Sequence, residues 1–162
     1  MEARELTVTW SDPAGLAERA HELAGIEFLR AVRDGSLPSA PIQLLLGFDL
    51  VEVEEGRVVF AATPAEQHYN PIGVVHAGLA ATMLDSAMGA AVHSTLPLGT
   101  GYTTLETKFN LVRAVTGETG EVRAVGKVAH GGRRVATAEG RLVRASDGEL
   151  LAHGTSTCLL VS

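Results

Sequence analysis

The chain has 162 residues, 46% of them hydrophobic and 20% charged, with a formal net charge of −6. That length suits one domain burying about two thirds of the surface its unfolded form exposes, and the composition excludes a disordered or collagen-like chain. Only 13 Lys and Arg stand against 19 Asp and Glu, which argues against a general attraction to nucleic acid or anionic lipid.

The first residues, MEARELTVTWSDP, are acidic and carry neither the basic start nor the apolar run of a signal peptide. No stretch approaches the ~18 apolar residues of a membrane span. Cys158 is the single cysteine, so an intrachain disulfide and a cysteine-based zinc site are excluded. The expectation is a cytoplasmic protein with no membrane partner, no nucleic acid and no metal.

Asp12-Pro13 reads as an N-cap followed by a first-turn proline. Beyond it Leu16, Ala20, Leu23, Ile26 and Leu29 recur every three or four residues, which predicts one amphipathic helix ending near Gly35. SLPSAPIQ breaks that helix with two prolines, and LLLGF is a short apolar piece suited to a helical turn. DLVEVEEGRVVFAATP predicts a hairpin around Glu54-Glu55-Gly56, because apolar and polar residues alternate before the turn and β-branched residues follow it. AEQHYNPIG is a polar loop. From Val75 to about His93 runs a helix-length segment rich in Ala, Leu and Met, interrupted only by Thr82, Asp85 and Ser86. A helix apolar nearly all round is a buried one. After LPLGTG, four alternating segments, YTTLETKFNLVRAV, GEVRAVGKVAHGG, RRVATAEGRLVRAS and ELLAHGTSTCLLVS, predict an antiparallel meander. One long helix against a large antiparallel sheet is an α+β two-layer domain. Residues 1–40 form an N-terminal helical extension to it, and residues 41–162 the main domain.

Asp85 is the residue out of place. Thr82 and Gly89, three and four positions away on its own helix face, are uncharged and small. Glycine inside a helix costs roughly 1 kcal/mol relative to Ala, which implies that something approaches that face closely. An unpaired carboxylate there is expensive, and a functional use accounts for its presence. Upstream, residues 76 to 78 form the first turn of the helix. Their N–H groups lack intrahelical acceptors and carry the positive end of the helix dipole. Such a turn binds an anion or stabilises a carbonyl oxygen that becomes negative in a transition state. Ala77 and Asp85 are eight residues apart, about 12 Å along a helix. One carbonyl cannot touch both, so a site that uses both needs two copies of the chain with antiparallel central helices.

The order Asn70, Gly73, His76-Ala77-Gly78 and then Asp85, nine residues after the histidine, resembles the hotdog-fold acyl-CoA thioesterases of the phenylacetic-acid-degradation type. The resemblance spans about residues 45 to 160, including the strand FNLVRAV, and leaves the leading helix outside. Ala77 stands where that family usually has Gly; the backbone N–H is retained. The resemblance implies a hotdog fold, a long central helix wrapped by an antiparallel sheet, here with an extra N-terminal helix. It further implies that Asp85 is nucleophile or general base and that the Ala77 N–H, within the turn His76 to Gly78, polarises the thioester oxygen. Asn70 and the Gly73 loop would hold the thioester or the water, and Thr104 would assist the carboxylate. Arg113, Arg133 and Arg134 are candidates for the CoA phosphates, because Arg pairs well with phosphate. The implied partners are an acyl-CoA substrate and a second copy, with dimers pairing into homotetramers. No cofactor is implied, since CoA is part of the substrate.

Two other readings compete. A hotdog enoyl-CoA hydratase or dehydratase needs a His and a carboxylate together, whereas His76 and Asp85 point about 180° apart on one helix. A non-catalytic acyl-CoA-binding protein has no need of Asp85.

Overall fold

The computed structural model describes residues 2–161. The N-terminal region holds two helices, α1 (Pro13–Glu22) and α2 (Gly25–Arg33), where the apolar spacing predicts one. The reason is a close approach. Gly25 donates its N–H to the Leu96 carbonyl at 3.1 Å, and a Cβ at this position would lie 1.8 Å from the backbone oxygen of His93. The chain must leave helical geometry at Leu23 and Ala24 for that contact to form. Asp12 caps α1 through its side chain, accepting from the Ala14 N–H at 2.9 Å. α3 (Pro41–Leu46) then includes PIQ as well as LLL, with Pro41 in the first turn and Gly47 ending it at φ 63°.

The hairpin forms as expected from β1 (Phe48–Glu54) and β2 (Arg57–Ala62). A short 3-10 turn (Glu66–His68) lies in the polar loop before α4 (Ala77–His93), which is followed by β3 (Gly101–Leu111), β4 (Val122–Gly131), β5 (Val135–Arg144) and β6 (Leu150–Val161). The six strands form one antiparallel sheet in the order β1-β2-β4-β5-β6-β3. This corrects the expected four-strand meander: β4, β5 and β6 are consecutive neighbours, but β3 pairs with β6 at the sheet edge. Local alternation marks a strand without naming its neighbour. The connection from β3 to β4 is long enough to carry the chain from the edge to the middle of the sheet.

Nearly every side chain of α4 from Ala87 to His93 is buried, as are Leu79, Ala80, Met83 and Leu84. The sheet wraps the helix, and glycines make this possible. Gly126, Gly140 and Gly154 are side by side across β4, β5 and β6. A Cβ at Gly126 would lie 2.1 Å from the Ala87 carbonyl oxygen, so helix and sheet backbones meet there directly. The extension joins the same core through Leu29 and Val32. Among the described residues no helix is long and apolar enough to cross a membrane.

Candidate active site

Two groups of polar residues lie on α4, one at its first turn and one at its middle. The first turn is set by the loop before it. Asn70 accepts the N–H groups of Ile72 at 3.0 Å and Val74 at 3.3 Å through Oδ1, closing a turn in which Gly73 takes φ +85°. Nothing crowds Gly73, and it does not line the cavity described below, so its contribution is to the turn. Val75 donates to the Val115 carbonyl at 2.9 Å and His76 to that of His68 at 2.7 Å, anchoring the loop to both flanks.

His76 is the N-cap of α4, its Nδ1 accepting the Gly78 N–H at 2.8 Å. The ring proton of the neutral imidazole is therefore on Nε2. A side chain at Gly78 would meet that ring at 2.8 Å. The Leu79 N–H goes to the His76 carbonyl at 3.1 Å. Of the first three helical N–H groups, only that of Ala77 has no acceptor among the described residues. The Asn70 side-chain amide, its oxygen engaged, likewise has an NH2 with no partner among them.

Both residues line a cavity of about 320 Å³ between α4 and the chain just after β3. His76 and Arg113 stand at its exposed side, with the Arg113 guanidinium 2.7 Å from Glu149. The rest of the lining is apolar and ends at the buried Met83, Val122 and Leu142.

Asp85 does not line this cavity. It lies on a partly exposed stripe of α4 formed by Ala77, Gly78, Ala81, Thr82, Asp85 and Ser86, the face its own sheet leaves uncovered. Its Oδ1 accepts the Thr107 hydroxyl at 2.8 Å, while Oδ2 has no hydrogen-bond partner among the described residues. Behind Thr107 the Ser156 hydroxyl, 3.4 Å away, donates to the Glu106 carbonyl at 3.1 Å. The hydroxyl at the carboxylate is thus Thr107 and not Thr104. Thr104 sits opposite Cys158 in the β3–β6 pairing, and its hydroxyl acts on that thiol. The cause is a bulge at Leu105, between Thr104 and Glu106, which shifts the register by one residue. Without it Glu106 would face the helix in place of Thr107.

One turn on from Asp85, the Tyr102 hydroxyl lies 2.6 Å from where a Gly89 Cβ would be. The close approach expected at Gly89 is made by this ring. Burial raises the Tyr102 hydroxyl well above the ordinary phenol range, and the charges of Cys158 and Asp85 add to the shift. Burial likewise pushes the Cys158 thiol up, hydrogen bonds from Ser156 and Thr104 oppose this, and Asp85 adds to it. Both groups are therefore neutral near neutral pH.

The three candidate arginines do not gather. Arg113 is beside the first turn of α4, whereas Arg133 borders a separate hollow of about 430 Å³ with Thr95, Leu96 and Thr100, past the other end of the helix. Arg134 neighbours it in sequence and is exposed. The 17-residue α4 separates these ends by about 25 Å. Neither Arg133 nor Arg134 makes an ion pair among the described residues. No group of three or more His, Cys, Asp or Glu side chains placed to hold a metal occurs among them either.

The family model of the thioesterase superfamily matches residues 72–151. Among solved structures, a conserved protein from Pseudomonas aeruginosa is 32% identical, covering 76% of this chain and 95% of its own at a TM-score of 0.70. A phenylacetic acid degradation-related protein from Ralstonia eutropha, described as a thioesterase, is 26% identical over 81% of this chain and 98% of its own, with a TM-score of 0.72. A mutant of a phenylacetic acid degradation protein from Thermus thermophilus is also 26% identical, over 74% of this chain and 98% of its own, at a TM-score of 0.66. No curated protein matches the chain.

Proposed function

The chain belongs to the thioesterase superfamily, as a thioester hydrolase of hotdog fold, and from that premise we propose that it hydrolyses an acyl-CoA to free acid and CoA at a site shared by two copies. The observation that carries this reading is the unpaired Ala77 N–H at an apolar cavity, with Asp85 outside that cavity on the uncovered stripe of the same helix. The thioester carbonyl sits at the first turn, its oxygen receiving the Ala77 N–H and the positive end of the helix dipole. His76 and Gly78 hold that turn in shape. The Asn70 NH2, a donor only, turns toward the same oxygen or the attacking water.

Asp85 comes from the second copy. Its Oδ2 attacks the carbonyl carbon and expels the CoA thiolate, or it takes a proton from a water that does so. Thr107 holds the other carboxylate oxygen. Small residues along the stripe let a second α4 approach closely, and an antiparallel pair centred near Ala81 brings each Ala77 to the other copy's Asp85. The same pairing carries the Arg133 and Arg134 end of one copy toward the Asn70 loop of the other, where they join Arg113 around the CoA phosphates. Dimers of this kind pair into homotetramers and work in the cytoplasm without a cofactor.

The test is release of free thiol from acyl-CoA by the purified protein. Asp85→Asn and Asp85→Ala are expected to lower turnover at least a hundredfold with the melting transition intact; full activity in either variant would sink the assignment. Mixing inactive Asp85 and Asn70 variants is expected to restore activity in mixed dimers. Failure to do so despite demonstrated subunit exchange would count against the shared site. The hydratase reading predicts water addition to enoyl-CoA without thiol release.

A further inference from the structure

The cavity at the first turn of α4 divides into a polar end and an apolar end. His76 and Arg113 are exposed and Asn70 is half-buried, so the side-chain donors lie where solvent and the thioester enter. At the closed end Met83 is 0%, Val122 1% and Leu142 2% exposed, and the three carry no side-chain hydrogen-bonding atom but the weakly accepting Met83 sulfur. Leu79 and Ala80 line the wall from the helix side. An acyl group that reaches this end meets only hydrocarbon and one thioether.

From this arrangement we infer that the protein selects acyl groups that carry no polar substituent at the end away from the thioester. This rests on the acyl-CoA reading above and adds the substrate class. The physical reason is desolvation. A hydroxyl brought to the closed end loses its bonds to water and finds at most the weak thioether acceptor of Met83, whereas a methyl or a ring C–H loses nothing. The discrimination is against the hydroxyl and not against aromatic rings, because the limit is polarity.

The experiment compares kcat/KM by thiol release for two matched pairs, octanoyl-CoA with 8-hydroxyoctanoyl-CoA and phenylacetyl-CoA with 4-hydroxyphenylacetyl-CoA. The unsubstituted member is expected to be favoured at least tenfold in both pairs. Equal values, or preference for the hydroxylated member in either pair, overturn the inference while leaving the acyl-CoA reading standing. Thiol release from none of the four by folded protein removes the acyl-CoA reading and the inference with it. A second measurement checks that the acyl group occupies this cavity. Ala80→Leu, which fills part of it, is expected to lower the octanoyl-to-butyryl ratio of kcat/KM at least tenfold. An unchanged ratio in a folded variant places the acyl group elsewhere and overturns the inference.

Discussion

Among the described residues Asp85 is held by one oxygen and free at the other, an arrangement suited to the proposed attack or activation of water in a fixed direction. Thr107→Val replaces the hydroxyl with a methyl of similar size. It is expected to lower kcat about tenfold or more with little change in KM, and Thr107→Ser is expected to restore most of the loss. Steady-state kinetics beside a thermal melt would check this; unchanged kcat in Thr107→Val would remove Thr107 from the site. Asp85 itself was legible as a charge in an apolar helix. Thr107 was not, because two-residue alternation from Tyr102 points to Thr104 and then Glu106, and a bulge at Leu105 leaves no mark in composition. The Ala77 N–H was legible as a helix terminus, but its lacking an acceptor among the described residues while Gly78 has one depends on how His76 turns its ring.

At the scale of elements, α4 and the sheet meet backbone to backbone at Gly126. Gly126→Ala would press a methyl against the Ala87 carbonyl, which cannot move without shifting the helix. Gly89→Ala meets the end of the Tyr102 ring instead. Denaturant titration is expected to find Gly89→Ala destabilising by about 1–3 kcal/mol and Gly126→Ala by more. Equal, small losses in both would show that helix and sheet separate easily. The hairpin of β1 and β2, the strands themselves and α4 were readable from local pattern, since burial on one face imposes a period that the sequence must carry. The break between α1 and α2 was not, because apolar spacing continues through Leu23 while a distant carbonyl at His93 requires the chain to turn. Nor was the place of β3 beside β6, which is a long-range choice between equally alternating strands.

Across the whole molecule, an aromatic line joins the extension to the face of Asp85. Phe28 of α2 lies 5.4 Å from His93, centroid to centroid, and His93 lies 5.6 Å from Tyr102, which abuts Gly89. Burial, with a smaller effect from His21, lowers the His93 imidazole below its ordinary value of 6.5. The unfolded chain then binds the proton more readily than the folded one, so stability is full above 6.5 and falls as pH drops from there toward the folded value. The denaturation midpoint is expected to fall between pH 7.5 and 5.5 and to fall less in His93→Phe, which keeps an aromatic ring and removes the proton site. Equal pH dependence in both proteins would show that other groups govern acid stability.

The sequence by itself determined the family and the fold class, because these depend on periodicity and on motif spacing along one chain. That Ala77 and Asp85, eight residues apart, cannot both touch one carbonyl follows from helix rise alone. Only the tertiary structure decided which hydroxyl meets Asp85, which N–H is free, and that Arg113 and Arg133 lie at opposite ends of the helix. It also decided the apolar end of the cavity, where Met83, Val122 and Leu142 converge from a helix and two strands. Each of these depends on register, ring orientation or convergence of distant segments, properties set by packing between elements and not by any one of them.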